Sequence, residues 1–217
     1  ANVDMNLGLL ARRRGNFGKA KMLYEQGQKH RKETLLVRQK DPQLRRDLAK
    51  GWYNLANLAV DVNDAEAVRN NVELAIRELE KLLTEQPDDL RDRYLLALCY
   101  RLLADLNAAL IPVDESKLPE AIDAYTRARF AMQDLAGRSP AVHRYRVELG
   151  QLLMNIGQLE AQRQQYTAAR LLMEKAAEVF QELVKEAPDN QDFRNLQTQV
   201  QSVLEQLSKL QTESRLP

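Results

Sequence analysis

The sequence predicts an all-α fold of antiparallel helix pairs stacked one on the next, and three observations lead there. Small residues recur at matching distances on one face of helical stretches, prolines punctuate those stretches, and turn-formers are scarce, with 8 glycines and 7 prolines in 217 residues. Apolar residues make up 44% and charged residues 29%, the balance of a folded chain rather than a disordered one. No strand is expected.

The repeat is read from four prolines. Pro42, Pro87, Pro140 and Pro188 are spaced 45, 53 and 48 residues apart. Twelve residues before the last three lie Ala75, Ala128 and Ala176, and fifteen before the first lies Gly27. Seven residues before each of these come Ala20, Val68, Ala121 and Ala169, and three before come Tyr24, Val72, Tyr125 and Met173. Positions zero, three and seven share one helical face. Twelve residues further upstream stand Gly8, Ala56 and Gly157, each preceded by an apolar residue and, one position earlier, by Asn6, Asn54 or Asn155. Small residues facing one another let two helices approach, and the bulkier Tyr24, Val72 or Met173 fills the space beside them.

Each element follows in order. A helix over 2–14 carries Gly8 and stops at Gly15-Asn16, where turn and capping chemistry begins. The next, 17–40, carries Ala20, Tyr24 and Gly27 and ends before Pro42. Helix 43–62 carries Ala56 and ends at Asn63-Asp64; helix 65–86 carries Val68, Val72 and Ala75 and ends at Pro87. Asp88-Asp89 opens 89–109, whose apolar run Tyr94 to Tyr100 leads to Ala104. Leu118-Pro119-Glu120 opens 118–136. Helices 141–162 and 164–186 carry Gly157 and then Ala169, Met173 and Ala176, although Gln164 is a weaker turn residue than Gly or Asn. The last, 189–211, has a single apolar stripe, Leu196, Val200, Val203, Leu207 and Leu210, among glutamines. It reads as the solvated cap that a stacked array needs.

This organisation gives a single repeat domain over 1–217, with units of about 1–42, 43–87, 88–140 and 141–188 and a cap over 189–211. In the third unit Ala121 follows Ala104 by seventeen residues instead of twelve, so about five residues are inserted near Pro112 to Pro119. The insertion is either a recognition loop or a tolerated one. The chain begins with Ala1 rather than Met, so a segment cut from a longer protein is an expectation as well.

Leu7-Gly8, Gly15, Ala20, Tyr24 and Gly27, with Leu55-Ala56, Val68, Val72 and Ala75, and Ile156-Gly157, Ala169, Met173 and Ala176, together resemble the tetratricopeptide repeat (TPR) signature. The helices are longer than in the common 34-residue form. The rhythm of proline, arginine and leucine-rich helix is also similar to repeat arrays attached to bacterial serine/threonine protein kinases. The resemblance implies a right-handed α-solenoid, or superhelix, with a C-terminal capping helix and first helices lining a concave face. It further implies a non-catalytic protein-interaction scaffold that binds a peptide or a partner's helix there.

Counting from the small residue of each first helix places Tyr53, Asn54, Asn57, Arg101, Asp105, Met154, Asn155 and Gln158 on that face as candidate peptide-binding residues. Lysines that would grip a terminal carboxylate are missing from it. Trp52 reads either as an anchor or as packing between units. Arg93, Arg146 and Arg194, each six residues after a proline, read as partners for an acid of the adjacent helix.

Catalytic chemistry is not indicated. His30 and His143 lie in different units, and no metal-ligand spacing, phosphate-cradling loop or hydrolase elbow occurs, so no metal and no cofactor are expected and the protein is read as no enzyme. Cys99, within an apolar stretch, reads as a small buried hydrophobe. A lone cysteine suits a reducing compartment, and a cytoplasmic setting is the expected one. No apolar run is long enough to cross a membrane.

The charge is uneven: net +8 over 1–50, −6 over 51–140 and −1 over 141–217. The basic third supplies the alternative readings. Nucleic acid could bind Arg12, Arg13, Arg14, Lys19, Lys21, Lys29, Arg31 and Lys32, but side chains repeated at fixed code positions are absent. A regulatory segment of a larger signalling protein such as a kinase is the other alternative. End-to-end self-association through an exposed first unit is a further expectation.

Overall fold

The computed structural model describes the backbone of residues 2–213 and the side chains of residues 2–210. The described residues form nine helices: α1 (Asn2–Arg13), α2 (Phe17–Val37), α3 (Pro42–Asp61), α4 (Ala65–Glu85), α5 (Leu90–Leu110), α6 (Lys117–Arg138), α7 (His143–Gln162), α8 (Tyr166–Glu186) and α9 (Gln191–Glu213). No strand occurs among the described residues. All nine match the expected helices, the largest shift being at α2, which ends at Val37 rather than 40. The chain divides into two compact units, Ala1–Lys117 and Leu118–Pro217, and the division follows the turn at 111–116 where the insertion falls.

In the first unit α1 pairs with α2 and α3 with α4, while α2 packs on α3 and α4 on α5. The small residues sit where the helices touch. A Cβ on Gly8 would lie 2.5 Å from Tyr24 Cε1, so the Tyr24 ring occupies the space that the glycine leaves. Ala56, Val72 and Ala75 are all fully buried in the core between α3, α4 and α5. Gly51 makes a second close contact, with Gln28 Oε1 2.0 Å from where its Cβ would stand. There Gln28 Nε2 donates to the Leu48 carbonyl at 3.0 Å, which joins α2 to α3.

In the second unit α7 pairs with α8, and α9 packs on α8. A Cβ on Gly157 would meet Met173 Cε at 2.9 Å and the Ala169 carbonyl at 3.2 Å. Val200 and Leu207 of α9 are buried against α8 and α7, joined by Phe193, whereas Leu210 at the end of the stripe is exposed.

Three hairpin turns share one geometry. Gly15, Asn63 and Gln164, at corresponding positions, have φ of 73°, 56° and 61°. After each, the next residue's N–H reaches back to a carbonyl five positions earlier: Asn16 to Ala11, Asp64 to Ala59 and Gln165 to Glu160, all at 2.9 Å. This is the Schellman arrangement, and its left-handed residue favours glycine or asparagine. The following helix is then capped by Asn16, which accepts from Lys19 N–H, and by Asp64, which accepts from Ala67 N–H. Gln165 makes no such cap.

The prolines do not all occupy one place. Pro87, Pro140 and Pro188 lie in turns between helices. Pro42 instead opens α3, directly after the capping Asp41, a position where its missing N–H costs nothing. This accounts for its spacing of fifteen rather than twelve from the small residue. Residue 42 is therefore the start of the second hairpin rather than the end of the first.

Candidate functional site

Of the eight residues expected on the first-helix face, five lie in the first unit and three in the second. On α3, Tyr53, Asn54 and Asn57 are half-buried; on α5, Arg101 is half-buried and Asp105 exposed. Asn57 Nδ2 donates to the Tyr53 carbonyl at 2.8 Å. On α7, Asn155 is half-buried and Gln158 exposed. Met154 departs from expectation: it is 3% exposed and belongs to the core of α7, α8 and α9, because its position on the helix turns inward rather than to the open face.

Side-chain clamps hold the first helices of the first unit in register. Arg12 of α1 grips Asp61 of α3 through two bonds, Nε at 2.5 Å and Nη2 at 3.0 Å. At the opposite end of α3, the buried Arg46 forms a fork on Asp92 of α5, Nε on Oδ1 and Nη2 on Oδ2, and Nη2 also reaches Asp89 at 2.9 Å. Gln43 Oε1 takes the remaining Nη1 donor at 3.0 Å. Paired in this way, both oxygens of the buried Asp92 are matched by the planar fork of Arg46. Asp89 also caps α5 and accepts from Arg91; chiefly through that bond, and with the Arg46 charge nearby, its carboxyl is lowered to about 2.

Within hairpins a second clamp recurs. Arg45 of α3 reaches Glu85 of α4 at 2.8 Å, and Arg146 of α7 reaches Glu186 of α8 at 2.7 and 2.5 Å. The pairing expected for Arg146 is thus made, and it holds the Glu186 carboxyl below its usual range.

Two recesses of the first unit border α3. One, of about 300 Å³, opens between the ends of α3 and α5 and is lined by Val60, Val68, Leu102, Asp105, Leu106 and Leu110. Asp105 places it at the end of the expected binding face, and Ala65 and Val68 at the start of α4 close it. The other, of about 580 Å³, is a groove between α2 and α4 floored by α3. Trp52 stands in that floor, half-buried between two core clusters, with Lys32 Nζ 4.4 Å from its ring centroid. It packs between hairpins, about 100° around α3 from Tyr53. The groove escaped the reading of the sequence because only first helices were expected to bind. Of the exposed apolar residues of α2, Leu36 lines it.

Among the described residues no group of three His, Cys, Asp or Glu is placed to hold a metal ion, and no helix is long and apolar enough to cross a membrane. Cys99 is fully buried, and burial pushes its thiol far up. Of the basic residues proposed for nucleic acid, Arg12 is committed to Asp61. Arg31 is buried, donating to Gln28 at 3.3 Å and to Asn2 at 3.0 Å, so neither offers a free guanidinium to a phosphate.

The chain matches no protein-family model, and it matches no curated protein. Among solved structures, BtubC (BKLC) from P. vanneervenii is similar over 97% of this chain and 80% of that one, with 20% identity and a TM-score of 0.58. The fold is that of an all-α helical repeat. A thermophilic TPR protein from Thermus thermophilus is 16% identical over 92% of this chain and 97% of that one, with a TM-score of 0.36. A TPR repeats protein from Bacteroides fragilis is 17% identical over 93% of this chain and 98% of that one, with a TM-score of 0.35. The TPR-like character rests on the small-to-large contacts of Gly8 with Tyr24 and Gly157 with Met173 rather than on those two likenesses.

Proposed function

We propose that this protein is a non-catalytic protein-interaction scaffold that binds a peptide or a partner's helix along its first helices. The observation that carries this reading is the recess between α3 and α5, where Val60, Leu102 and Leu106 offer an apolar socket and Asp105 a charged rim. A socket of that size suits one large apolar side chain of a partner, which is how a few anchors dominate binding energy. Tyr53, Asn57 and Arg101 extend the same face, and the Arg12–Asp61 and Arg46–Asp92 clamps fix its helices in advance, lowering the entropic cost of binding. On α7 the corresponding positions are Asn155 and Gln158.

Photo-crosslinking residues placed at Tyr53, Asn57, Arg101 and Asn155, and separately at exposed Glu73 and Arg77 of α4, test the reading. Partner peptides captured at the first set support it. Capture confined to α4 overturns it.

A further inference from the structure

The outward side of α1 carries apolar residues that the later first helices keep covered. Val3, Leu7 and Leu10, four and three residues apart, share one face of the helix and are 68%, 48% and 45% exposed. That face lies about 160° around α1 from Met5, Leu9 and Arg12, the equivalents of Tyr53, Asn57 and Val60 on α3. None of the three lines either recess described above. In the register that equates Gly8 with Ala56, Ala104 and Gly157, their equivalents are Gly51, Leu55 and Leu58 on α3, Cys99, Leu103 and Leu106 on α5, and Leu152, Ile156 and Leu159 on α7. Those of α3 and α7 are buried; on α5 Cys99 is buried and the two leucines are half-buried. Of these four helices, only α1 leaves the column exposed.

The first unit shows what covers this column elsewhere. On α3 the cover is α2: Gln28 fills the hollow at Gly51, and Leu55 and Leu58 share a core cluster with Ala20, Leu23 and Tyr24. On α5 it is α4, whose Ile76, Leu79 and Leu82 cluster with Cys99 and Leu103. Charge at the two ends of α1 adds a second observation. Arg13 and Arg14 are exposed, and neither forms an ion pair among the described residues. Their equivalents on α5, Ala109 and Leu110, stand around the smaller recess beside Asp64 and Ala65, where α4 begins. A helix lying on α1 as α4 lies on α5 would bring its first turn to the two arginines, where carboxylates complement both the cations and the helix dipole. At the other end Asp4 takes the place of Tyr100, whose hydroxyl donates to Glu80 of α4 at 2.5 Å, so a cation suits the covering helix there.

We propose that the outward face of α1 seats an amphipathic helix of a partner protein, antiparallel to α1 and acidic in its first turn. Its apolar stripe meets Val3, Leu7 and Leu10, and its leading carboxylates meet Arg13 and Arg14. A helix suits the face because it satisfies its own backbone, whereas α1 offers an extended segment no sheet edge. In a second copy of this chain α2, α4 and α8 already pack on α3, α5 and α9, which favours a helix from a different protein.

The probe is a fluorescein-labelled peptide of this chain's own residues 64–85, carrying Glu80→Lys so that no carboxylate faces Asp4, and its binding is read by fluorescence anisotropy. Wild-type protein is expected to bind it saturably. Leu7→Glu, at an exposed position and with its fold checked by far-UV circular dichroism, is expected to weaken binding at least about tenfold. Arg13→Glu/Arg14→Glu is expected to weaken it as well, and a twin peptide with Asp64→Lys/Glu66→Lys is expected to bind that variant better than it binds wild type. Tyr53→Ala is expected to leave binding unchanged, which separates this site from the face of the proposed scaffold. No saturable binding by wild type, or equal binding by Leu7→Glu, overturns the proposal. A wild-type dimer in sedimentation that Leu7→Glu dissociates also overturns it, by giving the face to a second copy.

Discussion

The ring of Phe180 on α8 lies against the backbone of Gly150 on α7, so that a Cβ at Gly150 would stand 2.5 Å from both Cε1 and Cζ. Phe180 is fully buried and has nowhere to swing. Gly150→Ala is therefore expected to lower stability by about 1–3 kcal/mol, the usual cost of overpacking, despite the better helix propensity of alanine. At Gly157 the end of Met173 is flexible but the Ala169 carbonyl at 3.2 Å is backbone, so Gly157→Ala is expected to lower stability by less than Gly150→Ala does. Thermal unfolding of both variants checks the difference.

The phenol of Tyr24 is buried and its hydroxyl has no hydrogen-bond partner among the described residues. Burying a hydroxyl unpaired is unfavourable. Tyr24→Phe, which keeps the ring against Gly8, is expected to hold or raise the melting temperature, whereas Tyr24→Ala is expected to cost about 3–5 kcal/mol. A chemical denaturation series across the three proteins gives the measurement.

The turn before α8 uses residues poorly suited to their geometry. Gln164 has a φ of 61°, and Gln165 caps nothing. Gln164→Gly is expected to stabilise by about 1 kcal/mol by removing the left-handed penalty, and Gln165→Asp by about 1 kcal/mol through a cap like that of Asp64. Hydrogen exchange at the start of α8 should slow in both.

Arg46 and Asp92 are buried together between α3 and α5. Arg46→Met leaves Asp92 buried without its counter-charge and is expected to cost about 3–5 kcal/mol, while adding Asp92→Leu is expected to recover much of that loss. Equilibrium unfolding of the single and double variants decides it.

Acid should loosen the start of α5. The Asp89 carboxyl is lowered in the fold from an ordinary 3.8 to about 2, so it binds fewer protons folded than unfolded across that interval. Its contribution is complete above about pH 4 and is lost as pH falls through about 2. Thermal melts between pH 5 and 2 are expected to show this decline, with a smaller slope in Asp89→Asn.

Most of the architecture was legible because close helix contacts demand small residues, and Gly8, Ala20, Ala56, Val68, Gly157 and Ala169 recur in step. Gly51 and Gly150 went unread: each meets its neighbour outside the repeated positions, and a lone glycine in a helix gives no register. Pro42 was misplaced since spacing alone cannot separate a helix-opening proline from one in a turn. The binding residues were less legible than the fold. Helical periodicity puts Met154 on the same stripe as Gln158, and only packing against α8 and α9 reveals that one is inside and the other out. The α2–α4 groove arises where two helices both pack on α3, which no local pattern of residues encodes.

Within each unit the helices that touch are neighbours along the chain or next but one, as with α1 and α3, α3 and α5, and α7 and α9. Few long loops must close before such contacts form, the topology associated with rapid folding. On a translating ribosome a hairpin consolidates while later ones are still being synthesised, whereas a chain terminated before α9 would leave the apolar face of α7 and α8 bare and prone to aggregate.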